Sequence, residues 1–336
     1  MTEKAEFKNA TLSFYPQQNP GYRLFALWYF MTLMVAWHIF GQAFLGFEQS
    51  WAHPLATIGT ACVAQFFFEW LDAKVNRRKP RYAGGIGNFL NLFPPAVIVG
   101  GAVGMLLYPN ERIMPMIFAS LAAIASKVLI RMKLPGGMTQ HVFNPSNFGI
   151  VAALLLFPDV VGMAPPYHFT ENLIGFWHWV LPGIILLTGL YLHYVATGRL
   201  PLCLAWLAGF AAQAVIRAWL SGNPWYVPMM PMSSAAFIIF TLYMIPDPAT
   251  TPLKPSRQIV FALAVAAVYG ALQQMHIVFG LFIALTIVCF VRGVSIHVYS
   301  TLFTRDMAKS PFQAPMTAPT PVMQHATPTG ELAQAK

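Results

Sequence analysis

The chain has 336 residues, of which 57% are hydrophobic and only 9% charged, and its mean hydropathy is +0.57. A soluble domain carries about a quarter charged residues, so this composition excludes an ordinary soluble fold. The net charge of +9 follows from where the basic residues fall between apolar runs, and it implies no nucleic-acid partner.

A polar segment over residues 1–23 precedes the first apolar run. That run is long and lacks the short hydrophobic core and small-residue cleavage site of a secretory signal, so it is expected to remain as a membrane span. Ten runs follow one another near 24–46, 54–71, 86–108, 113–130, 147–164, 175–194, 200–220, 232–246, 257–272 and 276–296. Each approaches the roughly 20 residues that a helix needs to cross a hydrocarbon core. The expected architecture is an all-α integral membrane protein with a ten-span domain over 24–296. The segment 297–336 ends in a stretch rich in Pro, Ala, Thr and Gln that cannot build a core, and it is expected to be a disordered cytoplasmic tail.

The basic residues support this alternation. Lys4, Lys8 and Arg23 precede span one; Lys74, Arg77, Arg78, Lys79 and Arg81 follow span two; Lys127, Arg131 and Lys133 flank the end of span four. Arg199, Lys254, Arg257, Arg292, Arg305, Lys309 and Lys336 accompany the ends of spans six, eight and ten, so only Arg112 and Arg217 fall on the other face. Short cytoplasmic loops collect Lys and Arg, which puts both termini in the cytoplasm and the protein in the inner cell membrane, facing anionic lipid headgroups. Trp51, Trp177, Trp179 and Trp225 fit an aromatic belt on the outer face.

Polar residues interrupt the apolar pattern at a few places. On span one His38 and Gln42 stand four apart, as do Gln213 and Arg217 on span seven, so each pair can meet on its own helix. Such residues serve either packing or a quinone, proton or ion path. Span three is broken by Pro94-Pro95 after Gly84-Gly85-Ile86-Gly87-Asn88, and span eight is short and preceded by Asn223-Pro224, Pro228 and Pro231. If ten spans form two five-span halves, three and eight are equivalent and enter from opposite faces, as an inverted repeat requires. Met229, Met230 and Met232 beside Trp225 fit interfacial packing. Cys62, Cys203 and Cys289 lie singly inside apolar runs, without the spacing that metal ligation uses.

Two polar segments bound these spans. Gly136-Gly137-Met138-Thr139-Gln140-His141 leads into Asn144-Pro145-Ser146-Asn147, ahead of span five. Asn144 before Pro145 is a strong helix start, because Asn caps orphan amides and Pro loses no hydrogen bond at the first position. A glycine-rich loop entering a helix is equally a cradle for phosphate or another anion, with His141, Asn144, Ser146 and Asn147 as candidate contacts. After span eight, Asp247 stands between Pro246 and Pro248 with Thr250 and Thr251 following. This acid either closes a local turn or meets a cofactor ring or cation.

Phe143-Asn144-Pro145-Ser146-Asn147-Phe148-Gly149-Ile150, with Leu156-Phe157-Pro158 and Pro165-Pro166, resembles a segment of the RnfD/NqrB superfamily, the flavin-carrying membrane proteins of Rnf electron-transport complexes and of sodium-pumping NADH:quinone reductases. Met244-Ile245-Pro246-Asp247-Pro248-Ala249-Thr250-Thr251-Pro252 resembles that superfamily's Thr-Asp-Pro segment. Phe169-Thr170-Glu171-Asn172-Leu173, Trp179-Val180-Leu181-Pro182-Gly183, Thr286-Ile287-Val288-Cys289 and Val291-Arg292-Gly293 are closer to its enediyne-biosynthesis branch, the UnbU type. The resemblance covers roughly 85–295 and implies a ten-span electron-transfer component of a membrane oxidoreductase, with flavin and partner redox subunits. Those relatives carry FMN on the threonine of a Ser-Gly-Ala-Thr sequence in the loop after span five. This chain has no such sequence there, so FMN or riboflavin is expected to be held without a covalent bond. Thr170 is a candidate contact, and Thr170 or Asn172 is expected to cap span six. An ion or small-solute transporter, or a cofactor-free scaffold, are the competing readings.

Overall fold

The computed structural model describes residues 20–134, 139–165 and 169–309. Residues 1–19, the glycine-rich stretch 135–138, residues 166–168 and the tail from 310 onward lie outside the described residues.

Among the described residues the chain is a bundle of eleven α-helices with two short strand pairs. Helix α1 (Pro20–Phe40) continues into a wide π turn over Gly41–Leu45, which ends at Gly46 with φ 69°. Helix α2 is Ala52–Val75. The third apolar run is broken: α3 (Ile86–Leu90) and α4 (Pro94–Leu106) are separated at Asn91–Phe93, because Pro94 and Pro95 have no amide to extend the first helix. Strand β1 (Leu107–Tyr108) follows, then α5 (Met114–Leu129), β2 (Arg131–Lys133), β3 (Thr139–His141) and α6 (Pro145–Leu156). Strand β4 (Gly162–Met163) pairs antiparallel with β1, and β3 pairs antiparallel with β2, with Arg131 opposite His141.

Helix α7 (Trp177–Leu192) again runs into a π turn, His193–Thr197, ended by Gly198 with φ 62°. Helix α8 is Leu200–Ser221. A 3-10 turn over Val227–Ser233 bends by 71° into α9 (Ala235–Ile239) and its π turn Phe240–Met244. Helices α10 (Pro255–Gln274) and α11 (Gly280–Lys309) complete the bundle.

Among the described residues six stretches are long and apolar enough to cross a membrane: Arg23–Leu45, Ile86–Leu106, Trp177–Thr197, Leu200–Ser221, Pro255–Gln274 and Gly280–Ser300. The bent pair Val227–Ser233 and Ala235–Met244 makes a seventh if it counts as one span. The chain is therefore an all-α membrane protein. Outward-facing Phe44, Val63, Leu187 and Trp219 would form an aggregating surface in water, whereas lipid accommodates them.

Three further expected spans differ from the runs in the sequence. Helix α2 is 24 residues long, but its polar content rises toward Glu69, which is 5% exposed and pairs with Arg78 and Arg81 at 2.6 and 3.6 Å. Helix α5 has 16 residues. Helix α6 has 12 and stops at Leu156 rather than running to 164, because the residue before Pro158 is driven out of helical conformation. At about 1.5 Å per residue α6 measures about 18 Å, short of a hydrocarbon core of about 30 Å.

The packing is ordered by proximity in sequence. Helix α1 packs on α4, α2 on α4 and α5, and α5 on α6. Beyond residue 170, α7 packs on α9, α8 on α10, and α10 on α11. The two sets meet where α6 lies on α11 and where α1 touches the π turn His193–Thr197. Close approach depends on glycine: a Cβ at Gly149 of α6 would stand 2.2 Å from the Ala119 carbonyl of α5, and one at Gly100 of α4 would stand 2.7 Å from the α2 backbone. Trp206, Phe210, Phe237, Phe240, Tyr269 and Phe282 form an aromatic core between α8, α9, α10 and α11.

Candidate functional site

The two polar segments come together at one end of the bundle. Asn144 has extended backbone (ψ 122°), and its Oδ1 accepts from the Asn147 amide at 3.0 Å and from Ser146 Oγ at 2.9 Å, so the helix start legible in the sequence is present. Its Nδ2 donates 2.9 Å to the Met244 carbonyl, in the last turn before the Asp247 segment. Asn147 Nδ2 donates to the Phe282 carbonyl (3.0 Å) and Thr286 Oγ1 (2.8 Å) of α11, which leaves its buried Oδ1 without a partner.

Asp247 closes its own turn. Its Oδ1 accepts from the Ala249 amide at 3.0 Å and its Oδ2 from Thr250 Oγ1 at 3.1 Å, while its carbonyl accepts Thr251 Oγ1 at 2.7 Å. Thr250 and Thr251 are fully buried. Arg292 of α11 ties the two segments from the side: Nη1 donates to the Thr250 carbonyl at 2.7 Å and Nη2 to Gln140 Oε1 at 3.0 Å. Val142 touches Gly293, Phe143 stacks at 6.5 Å on Phe290, and Asn147 reaches Thr286 and Phe282. The stretch 140–147 thus runs antiparallel along α11 from Arg292 toward its start.

Burial shapes the titration of the groups at this end. His141 is pushed down to about 4 by burial and by Lys127 and Arg131, and its Nδ1 has no partner. Burial raises the Asp247 carboxyl, against the pull of the Ala249 amide and the Thr250 hydroxyl. Arg199, fully buried, is drawn down to about 10 by desolvation, with Asp247 opposing the shift. Its Nη2 makes long bonds to the Pro248 and Thr251 carbonyls (3.3 and 3.4 Å), while Nε and Nη1 have no partner. At the rim, Arg78 bridges Glu69 and Asp72, and its guanidinium holds the Asp72 carboxyl below its usual value.

Seven candidates, His141, Asn144, Ser146, Asn147, Asp247, Thr250 and Thr251, therefore lie at this end, and most of their polar atoms satisfy one another. The glycines 136 and 137 of the expected anion cradle lie outside the described residues. The eighth candidate, Thr170, sits at the opposite end. There a cavity of about 250 Å³ opens between the start of α7 and the bend before α9, lined by Thr170, His178, Trp179, Ser233, Ser234 and Ala235. Neither Thr170 nor Asn172 caps α7. That helix starts at Trp177 after Phe176 with no side-chain cap, and Asn172 Nδ2 is drawn to the Leu45 carbonyl at 2.6 Å.

Intramembrane polar pairs divide. Arg217 Nε does meet Gln213 Oε1 at 2.7 Å. His38 does not bond Gln42: its Nε2 stands 2.9 Å from the Gly101 carbonyl of α4, and its Nδ1 and Gln42 Nε2 have no partner. A buried histidine that the motifs do not mark, His193, places Nε2 2.6 Å from the Leu242 carbonyl and Nδ1 2.7 Å from Thr197 Oγ1. The only sequence signal for it is the four-residue spacing of His193 and Thr197. Comparison with protein-family models finds no match, and comparison with curated proteins finds none either.

Proposed function

We propose that the chain is a ten-span component of a membrane electron-transfer complex, resembling the RnfD/NqrB proteins of Rnf complexes and sodium-pumping NADH:quinone reductases. It holds FMN or riboflavin without a covalent bond and exchanges electrons with partner redox subunits. Both termini face the cytoplasm. With α5 and α6 counted as short spans that cross only part of the core, the ten spans form two inverted halves, α1–α6 and α7–α11, and parallel devices in the two halves support that reading. Each first span ends in a π turn closed by a left-handed glycine, Gly46 or Gly198. Each third span is broken. His38 bonds a carbonyl of the broken span in one half, and His193 does so in the other. After the π turn, Gln49 donates 2.7 Å to the Leu107 carbonyl at the end of α4, as Arg199 donates to Pro248 beyond α9.

The observation that carries the flavin reading is the cavity at Thr170. It brings the loop where the RnfD/NqrB proteins attach FMN against an indole, an imidazole and two serine hydroxyls. Pockets for small molecules usually run from about 300 Å³ upward. A cavity of about 250 Å³ lies below that range, so it would take the ring system alone and leave the polar chain outside. Trp179 offers a stacking face, and His178, Ser233 and Ser234 offer polar contacts to the ring edge. A bound flavin would supply one- and two-electron exchange. The sequence around Thr170 lacks the attachment pattern, so no phosphoester is formed.

The bend of 71° before α9 favours a second reading, transport of an ion or small solute through the broken spans. Purification in mild detergent from flavin-replete cells separates the two. Yellow material released by acid precipitation, with no fluorescent band on a denaturing gel, supports the electron-transfer reading. Colourless protein sinks it.

A further inference from the structure

At the end of the bundle opposite the basic loops, α1, α2 and α4 enclose a lane of polar side chains that neither polar segment uses. His38 is 4% exposed, Gln49 3%, His53 5% and Thr57 0%. His38 and Thr57 face α4 where it carries Gly101 and Gly104. A Cβ at Gly104 would stand 2.7 Å from Thr57 Oγ1 and 3.5 Å from His38 Cε1, so these two groups crowd the same point. His53 lies one turn from Thr57 along α2, and Gln49 reaches the Leu107 carbonyl one turn beyond Gly104. Gln42 lies one turn from His38 along α1 toward the same end. The lane spans about two helical turns, about 11 Å.

Hydrogen-bond chemistry fixes the state of His38. The Gly101 carbonyl can only accept, so Nε2 is the protonated nitrogen at 2.9 Å, and Nδ1 carries a lone pair. That lone pair is buried and has no partner. Gln42 Nε2, Gln49 Oε1 and His53 Nδ1, on residues within a turn or two of this point along the chain, are likewise buried and unpartnered. Leaving one such group dry costs free energy, and water is the partner that four of them near one end of α1, α2 and α4 call for. His193 is the contrast: both of its ring nitrogens are bonded within the protein.

We propose that this lane is a water-filled proton-uptake site whose acceptor is His38 Nδ1. A proton arriving from lane water binds Nδ1 while Nε2 keeps its own proton, hydrogen-bonded to the Gly101 carbonyl, giving an imidazolium; release to water reverses the step. The titratable group that shares the lane is His53 of α2. At its mouth Tyr108 donates 3.2 Å to Glu48, so that carboxylate is engaged and exposed. The site does not rest on the flavin reading, since it lies in α1, α2 and α4 and needs no cofactor.

The test is deuterium exchange at the imidazole C2 position, read residue by residue by mass spectrometry on the full-length protein in lipid nanodiscs across pH. Exchange proceeds through the imidazolium and needs water, so it reports both access and protonation. His38 should exchange about tenfold faster than His193, with a sigmoidal pH profile. Gln49→Met should slow His38 by narrowing the mouth and leave His193, buried with both ring nitrogens bonded, as slow as in wild type; that unchanged slow rate shows that the variant is folded. Should the Gln49 variant fail to fold, Thr57→Val is the second variant, with the same expectation. Exchange at His38 as slow as at His193 overturns the proposal. Fast exchange that neither variant slows overturns it as well, because water would then reach His38 by another route.

Discussion

Asn144 Nδ2 donates 2.9 Å to the carbonyl of Met244, a residue one hundred positions away. The same side chain accepts the Asn147 amide, so one amide group both starts α6 and closes the π turn that follows α9. Asn144→Ala should cost about 1 kcal/mol for the lost cap and about 1–3 kcal/mol for the stranded buried carbonyl. Asn144→Ser keeps the cap but is too short to reach Met244, so its loss should be smaller. Thermal unfolding midpoints in detergent should fall in the order wild type, Ser, Ala.

His141 contributes a pH dependence of definite sign. Its ordinary value is 6.5 and the folded protein holds it near 4. As pH falls through that window the unfolded chain takes up a proton that the native state refuses, so stability is lost on acidification. Asp247, raised by burial, acts in the opposite sense, losing stability as pH rises from its ordinary value through the raised one. His141→Gln removes only the first effect. Unfolding midpoints between pH 7 and pH 4 should therefore fall less steeply in that variant than in wild type.

Gly149→Ala puts a methyl 2.2 Å from a main-chain oxygen of α5, where no side-chain movement relieves it. A loss of about 1–3 kcal/mol is expected from forcing α5 and α6 apart. Gly59 of α2 has nothing within 4 Å of a built Cβ, and Gly59→Ala should stay within about 0.5 kcal/mol. Unfolding midpoints of the two variants, measured side by side, check the contrast.

Arg199 is fully buried with two of its three nitrogens unpartnered. Methionine has similar reach and no charge to desolvate, and replacing poorly paired buried ions by apolar side chains is neutral or stabilising by about 1–4 kcal/mol. Arg199→Met should therefore unfold at the same or a higher temperature. A marked fall would show that the contacts to Pro248 and Thr251 hold the loop after α9 in place.

What the sequence made legible was local. Asn144-Pro145 announces a helix start because capping acts within three residues, and Asp247 with Thr250 and Thr251 announces a turn for the same reason. The bond from Asn144 to Met244 has no trace in either segment, since nothing local records a partner one hundred residues off. Arg199 reads as one more basic loop residue; only the packing of Thr251 and Pro248 around it reveals a buried cation. Thr170 failed as a cap because the chain makes further turns before α7 begins at Trp177 and Asn172 is claimed by Leu45. The length of α6 was overestimated because hydrophobicity continues to 164 while Pro158 ends the helix early.

Helix α11 has a consequence set by its length alone. Its 30 residues measure about 45 Å, against a bilayer core of about 30 Å. It begins beside Tyr269 and Gln273, near the end of α10, and is about 15 Å longer than that 20-residue neighbour. A load on those extra turns would be carried to Arg292 and Thr286 through a single unbroken helix.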